Sequence, residues 1–332
     1  MKAIAIREPG GPEVLQLIET DRPSPEGHEV LIEVAAAGVN RPDCLQRAGL
    51  YPVPDGASPL PGLEVAGHIV EVGARCTRFN VGDRVMALTH GGGYAEYCVA
   101  DERHCLYVPK RMTLEAAAAF PETAFTVWSN LWMRAGLTSG ERLLVHGGSS
   151  GIGTTAIQIA KALSVQVAVT AGTDEKCTFC LDLGADIAVN YRNGNWQAAL
   201  ATSWPEGVDV ILDMVGGRYF DANLDALRRG GRLSIIALLG GAVAEQASLA
   251  KILRNHLMVF GTTLRPQSND QKAAIADGLR SAVLPLLESG EVRPVIFESL
   301  PLEAADQAHT LMESGRHMGK IVLTVREDLA KA

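Results

Sequence analysis

The sequence predicts an α/β protein in which a doubly wound parallel sheet is joined to a second, mostly β domain. Three observations carry this. From Arg142 onward, short apolar runs alternate with stretches of helical periodicity, which means βαβ units and a parallel sheet covered on both faces. Residues 1 to about 118 instead read as short strands punctuated by glycine and proline. A glycine-rich hexapeptide, Gly148-Ser149-Ser150-Gly151-Ile152-Gly153, stands between an apolar run and an amphipathic stretch.

At roughly 150 residues per domain, 332 residues argue for two domains. The change in texture places the β-rich domain at 1–120, completed by 263–332, and the parallel-sheet domain at 121–262. In the first domain, strands are expected at 30–37, 65–72 and 84–88, with turns at Pro9-Gly10-Gly11, Val72-Gly73 and Val81-Gly82-Asp83. The run Ala116 to Ala119 followed by Pro121 ends the β texture, and 123–135 reads as a helix.

A buried strand at 143–145 leads into a glycine-rich turn at 147–153. The helix at 152–163 follows, with Ile152, Ala156, Ile159, Ala160 and Leu163 at helical spacing. Then come a strand at 165–169, a helix at 175–183 closed by Gly184, a strand at 208–212, a helix at 219–227 and a strand at 232–237. After Gly261, one long helix is expected at 272–290, another at 304–314 and a last strand at 320–325, the whole segment packing back on the first domain.

Composition narrows the function. Apolar residues make up 47% and charged residues 20%, which is globular composition, and the net charge of −8 disfavours nucleic acid and acidic membranes as partners. Arg7 and Glu8 interrupt the apolar start too early for a secretory segment. The longest apolar run, 235–244, is ten residues and contains Gly240 and Gly241, so no membrane association is expected and a cytoplasmic setting is. Cys44, Cys76, Cys98, Cys105, Cys177 and Cys180 are scattered and read as reduced thiols; the single CxxC, Cys177 to Cys180, has no partner pair and reads as helix packing.

The hexapeptide is where chemistry enters. Glycine lacks Cβ, so backbone amides can approach a pyrophosphate, and the following helix adds unsatisfied N–H groups and a favourable dipole. This is the logic of the Rossmann dinucleotide fold, with Ser150 where the usual GxGxxG has its second glycine. Another frame, Gly151-x-Gly153-x-x-Ala156, starts too far from the strand end at His146. The expected contacts are therefore Gly148, Ser149, Ser150, Gly151, Ile152 and Gly153.

NAD-binding folds carry an acidic residue at the end of the second strand to grip the ribose 2′-hydroxyl. Here that stretch is Thr170-Ala171-Gly172-Thr173, and Asp174 and Glu175 come only after it. Gly172, Thr173 and Lys176 offer room, a hydroxyl and positive charge, as a 2′-phosphate requires, and Tyr191 is placed to close that pocket. The cofactor expected is NADPH. Lys176 as a solvated helix residue and Tyr191 as a packing aromatic remain open as the plainer readings.

Three further motifs resemble the medium-chain dehydrogenase/reductase superfamily: Gly38-Val39-Asn40-Arg41-Pro42-Asp43, Pro61-Gly62-Leu63-Glu64-Val65-Ala66-Gly67 and Val81-Gly82-Asp83-Arg84-Val85. The resemblance covers nearly the whole chain, and it implies a GroES-like fold for the mostly β catalytic domain beside the Rossmann domain. Zinc alcohol dehydrogenases of that superfamily carry Cys at the position of Asn40 and His-Glu at Leu63-Glu64. Asn and Leu cannot supply the thiolate and imidazole, so no metal is expected.

The run from Asn40 through Gly49-Leu50-Tyr51-Pro52, and the ending Gly319-Lys320-Ile321-Val322-Leu323, are similar to the zinc-free quinone oxidoreductases (zeta-crystallin-like), closest to the NADPH-dependent p53-inducible subgroup. The resemblance implies Tyr51 near nicotinamide and substrate with Asn40 beside it, as the catalytic pair. It implies cofactor contacts from Thr126, Leu238, Thr262, Thr263 and Leu264, and a homodimer built through edge strands near 232–244. The partner implied is a small-molecule quinone or similar electrophile.

Tyr51 can donate to a developing oxyanion, or simply cap a turn ahead of Pro52. Asp213 reads as structural, Arg265 as either reaching the cleft or solvated, and His68, His104 and His256 receive no role. Two other functions stay open: NADPH-dependent reduction of an enoyl or alkenal double bond, and cofactor binding without catalysis.

Overall fold

The computed structural model describes residues 1–331. The chain forms two compact units, Met1–Phe125 with the chain from Arg265 onward, and Thr126–Leu264.

The first unit begins with strands β1 (Lys2–Ile6), β2 (Leu15–Glu19) and β3 (Glu29–Val39), helix α1 (Arg41–Arg47), and strands β4 (Glu64–Val72), β5 (Arg84–Leu88), β6 (Tyr97–Asp101) and β7 (Cys105–Tyr107). Helices α2 (Leu114–Ala118) and α3 (Pro121–Trp128) follow, α3 running on into a π-helical turn, Ser129–Arg134.

The second unit then builds β8 (Arg142–His146), α4 (Gly151–Ala162), β9 (Gln166–Ala171), α5 (Asp174–Asp182), β10 (Ile187–Asn190), α6 (Trp196–Ser203), β11 (Val208–Asp213), α7 (Phe220–Ala226), β12 (Leu227–Ile235), α8 (Leu249–Asn255) and β13 (Met258–Gly261). The chain returns to the first unit with α9 (Asn269–Ala282), α10 (Leu284–Ser289), β14 (Ile296–Pro301), α11 (Ala305–Ser314), β15 (Lys320–Thr324) and α12 (Glu327–Ala330).

In the second unit all six strands are parallel, in the order β10-β9-β8-β11-β12-β13. Numbered within the unit this is 3-2-1-4-5-6, the doubly wound order whose direction reverses between its first and fourth strands. The glycine-rich turn follows β8 and so lies at that switch point. Leu144, Ile211, Leu224 and Leu233 pack with Trp196 and Trp204 on one face of the sheet.

The first unit is a largely antiparallel seven-stranded sheet. Central β3 pairs with β4, β6 and β15, which brings the C-terminal strand beside residues near the start of the chain. Val30, Ile32, Val34, Val65, Ile69, Val85, Ile321 and Leu323 form its core. The C-terminal segment therefore does return to the β-rich domain.

Three sequence expectations need correction. The single helix at 272–290 is two helices, because Pro285 has no N–H and its ring clashes with the preceding turn, so the chain kinks at Val283. The helix at 123–135 is α-helical only to Trp128 and then widens to π geometry. The strand expected at 232–237 starts earlier, at Leu227, and ends at Ile235, where the ladder to β11 stops. The hairpin of β1 and β2 and the short strands β6, β7, β13 and β14 lacked a sequence signal strong enough to place them.

Candidate active site

A hydrogen-bonded row holds the floor of the glycine-rich turn. Asp213, at the end of β11, accepts from the amides of Val215 (2.7 Å) and Gly216 (3.1 Å) and from Asn223 Nδ2 (3.1 Å). That turns Asn223 Oδ1 toward His146 Nε2 at 2.8 Å, so Nε2 carries the proton and Nδ1 accepts from Thr170 Oγ1 at 3.0 Å. Burial lowers the His146 pKa to about 4, keeping the ring neutral, and raises the Asp213 carboxyl to about 6. The row crosses the carboxyl ends of β9, β8 and β11 and makes Asp213 a structural residue, as its sequence position indicated.

Above it, the amides of Gly147 and Gly148 both donate to the Thr170 carbonyl, at 3.0 and 2.9 Å. Gly147 has φ of 76°, a left-handed conformation that glycine tolerates. Ser150 caps α4, its Oγ accepting from Gly153 N at 3.1 Å. A Cβ on Gly153 would lie 2.3 Å from the Gly148 carbonyl oxygen and 2.4 Å from that of Gly147. The first-turn amides of Gly151 and Ile152 make no hydrogen bond to any described residue.

Two orphan donors at the start of a twelve-residue helix, beside glycine backbone, form a cradle that fits a pyrophosphate. Gly153→Val should therefore abolish NADPH binding in a calorimeter. Retained affinity in a folded variant would show that the turn is merely a tight connection.

Around the end of β9 the electrostatics favour an anion. Thr173 caps α5, accepting from Lys176 N at 3.2 Å, and Asp174 turns away to accept from Asn190 Nδ2 at 2.7 Å. Tyr191 and Arg192 close over Gly172: a Cβ there would lie 2.9 Å from the tyrosine hydroxyl and 3.7 Å from Arg192 Nε. Burial lowers the Lys176 pKa, and the nearby Arg192 lowers it further. A half-buried ammonium with a second cation beside it is poised for a dianion. Arg192 was missed in the sequence; its position directly after Tyr191 was the available signal.

The remaining cofactor candidates lie near carboxyl ends of the same sheet. Thr126 is buried in α3; Leu238 is exposed in the turn beyond β12; Thr262, half-buried, follows β13, then exposed Thr263 and half-buried Leu264.

In the first unit, Asp43 organises the turn that carries Tyr51. Its carboxylate accepts from Asn40 N (2.8 Å), Gly62 N (3.0 Å) and the Tyr94 hydroxyl (3.3 Å), and burial raises its pKa to about 6. Tyr51 is half-buried, and its hydroxyl has no hydrogen-bond partner among the described residues. Burial raises its pKa, Glu122 adds to the rise, and Arg265 opposes it.

The Arg265 guanidinium stands 5.7 Å from the Tyr51 ring centroid. It is fixed by bonds to Gln46 Oε1 (2.7 Å) and the His90 carbonyl (3.0 Å). It is 4% exposed, so the alternative of a solvated Arg265 is set aside.

Asn40 is engaged inside the domain. Its Nδ2 donates to Glu64 Oε1 at 2.8 Å, and its Oδ1 accepts from Lys320 Nζ at 2.5 Å. Lys320 also donates to the Val39 carbonyl (3.0 Å) and pairs with Glu64 at 2.7 Å, while Glu64 Oε2 accepts from Glu122 N at 2.9 Å. An ammonium thus binds both Asn40, where the resemblance has the thiolate ligand, and Glu64, the residue after Leu63, where it has the imidazole. Among the described residues, no group of three or more His, Cys, Asp or Glu could hold a metal ion.

Comparison with known proteins places this geometry. Residues 26–110 match the alcohol dehydrogenase GroES-like domain, and residues 151–277 match the family described as zinc-binding dehydrogenase. The quinone oxidoreductase of Lama guanicoe is 36% identical over 98% of both chains.

The chain belongs to the quinone oxidoreductase family.

Within the medium-chain dehydrogenase/reductase superfamily, this family member has close structural neighbours. The Escherichia coli quinone oxidoreductase, solved in complex with NADPH, superposes with a TM-score of 0.84 at 29% identity, over 98% of this chain and all of that one. The CurK enoyl reductase superposes with a TM-score of 0.85 at 26% identity, over 97% of this chain and 98% of that one.

Proposed function

We propose that the chain is an NADPH-dependent quinone oxidoreductase that works without a metal ion. The observation that carries the cofactor choice is the anion site around Gly172, with Lys176, Arg192, Tyr191 and Thr173 and with Asp174 turned onto Asn190. The Rossmann unit would bind the coenzyme through the 148–153 turn, Thr126, Leu238 and Thr262–Leu264. The GroES-like unit would supply Tyr51.

Bound reduced nicotinamide supplies a hydride, which a quinone accepts readily because it is already electrophilic. The protein's part is to orient two planar rings and to meet the negative charge that develops on the acceptor oxygen. The Tyr51 hydroxyl, protonated at neutral pH and not committed elsewhere, is the donor for that oxygen. Asn40, at 4% exposure with both amide atoms engaged, acts as a positioning residue for the α1 turn rather than as a contact to substrate. Tyr51→Phe should lower kcat on the order of tenfold to a hundredfold with cofactor affinity unchanged. Unchanged turnover in stopped-flow would remove Tyr51 from the mechanism.

The likeness to an enoyl reductase supports a second reading, delivery of the same hydride to a conjugated C=C. Parallel NADPH-oxidation assays with 1,2-naphthoquinone, an enoyl thioester and a 2-alkenal separate the two. The quinone is expected to give the highest kcat/KM. Turnover should be indifferent to chelators, because the Lys320 ammonium holds the carboxylate of Glu64. Loss of activity on chelation would refute metal independence.

We also propose a homodimer through the β13 edge; the sequence expectation of edge strands near 232–244 needs correction, because β12 lies between β11 and β13. Met258 is exposed on that edge strand, and Leu238, Leu239, Val243, Leu249 and Leu253 are exposed in the same unit, an apolar set that a monomer would leave in water. Sedimentation should give a dimer that Leu253→Glu weakens. Six unpaired cysteines fit a reducing, cytoplasmic setting, and no helix among the described residues is long and apolar enough to cross a membrane.

A further inference from the structure

The π-helical turn after α3 carries a buried amide that no sequence motif pointed to. Asn130 is 2% exposed. Its Nδ2 donates to the Thr126 carbonyl at 2.9 Å, and its Oδ1 accepts from both Ser234 Oγ and Thr262 Oγ1, each at 2.8 Å. The orientation of the amide is fixed, because a backbone carbonyl can only accept. It follows that Oδ1 faces the two hydroxyls and that both hydroxyl protons point at Asn130. The Thr262 oxygen is then left with lone pairs only.

Thr262 is half-buried beyond the carboxyl end of β13, and Ser234 lies near the carboxyl end of β12, so the amide sits at the edge where doubly wound sheets bind ligands. A hydroxyl whose proton is committed is a one-way acceptor. It suits a ligand N–H2 and repels a ligand carbonyl.

We propose that Asn130 is a positioning residue that fixes Thr262 as a hydrogen-bond acceptor for the carboxamide N–H2 of the nicotinamide. The inference rests on the NADPH reading above. It adds that the same amide ties Thr126 to Thr262, so the two cofactor candidates from opposite ends of the unit move as one. The widened helix is what allows this. Asn130 O accepts from Ala135 N, five residues on, and the side chains of Ser129 and Asn130 both bond the Thr126 carbonyl.

The test uses coenzyme analogues on the full chain, by calorimetry. NADP+ and its 3-acetylpyridine analogue differ only in a carboxamide N–H2 replaced by methyl, and 2′,5′-ADP lacks the nicotinamide half. The wild-type protein should bind NADP+ about tenfold more tightly than the analogue, one lost hydrogen bond. Asn130→Leu frees the Thr262 proton and should bring that ratio within about twofold while leaving 2′,5′-ADP affinity unchanged. Thr262→Val, with the oxygen itself removed, should do the same should Asn130→Leu fail to fold. Ser234→Ala should keep the ratio.

A tenfold preference surviving in either folded Asn130 or Thr262 variant overturns the proposal. So does a wild-type protein that binds NADP+ and 2′,5′-ADP without telling NADP+ from the analogue, although the NADPH reading then stands. A wild-type protein that binds neither NADP+ nor 2′,5′-ADP refutes the NADPH reading itself.

Discussion

Replacing Lys176 and Arg192 together by alanine is expected to lower kcat/KM for NADPH about a hundredfold while changing that for NADH less than threefold. Each charge-assisted hydrogen bond to a phosphate contributes roughly 1.5–3 kcal/mol. Two of them give about 3–6 kcal/mol, and the lower end applies because Arg192 is exposed and Lys176 only half-buried.

The selectivity of the loss is the informative part. The pyrophosphate cradle at 148–153 and the nicotinamide contacts serve both coenzymes, so only the 2′-phosphate should report the change. Raising the salt concentration should compress the wild-type NADPH preference in the same direction, since exposed cations are screened within about 10 Å at 0.1 M. Equal losses with both coenzymes would mean that the cations stabilise the β9–α5 turn and recognise nothing.

The second large effect is on stability. Lys320→Met is expected to destabilise the fold by about 3–5 kcal/mol in urea unfolding, as is typical when one partner of a buried ion pair is removed. The Glu64 carboxylate, with no exposure, would be left facing only Asn40 Nδ2 and the Glu122 amide. Combining Lys320→Met with Glu64→Gln should recover part of that loss, because the double variant buries no unpaired charge. The two substitutions would then be strongly non-additive.

The pair also links the two strands that flank β3: Lys320 opens β15, Glu64 opens β4, and Asn40 leads into α1. Its loss should loosen the α1 turn that carries Tyr51, so the single variant should lose turnover at temperatures where it remains folded. Single variants within about 1 kcal/mol of the wild type would show that water or a local shift takes over the buried ammonium's role.

Local pattern made part of this molecule legible. The alternation from Arg142 onward revealed the parallel sheet because strand and helix periods differ over a few residues. The 148–153 turn declared a phosphate site because glycine and a following helix are adjacent in the chain. The want of an acid before Asp174 pointed to NADPH for the same reason. Pro285 is also legible, because a residue without an N–H breaks the helical pattern that runs across it.

What only the tertiary structure decided are contacts between residues far apart in sequence. Asn130 reaches Thr262 across 132 positions and Lys320 reaches Asn40 across 280. Neither partner carries a local mark of the other. Arg192 acquires its place over Gly172 only because β10 lies beside β9. Periodicity reports which face of an element is apolar, and spacing reports which residues share a turn. Which polar side chains then meet in the interior depends on strand order, and a buried amide or ammonium persists only where that order delivers its partners.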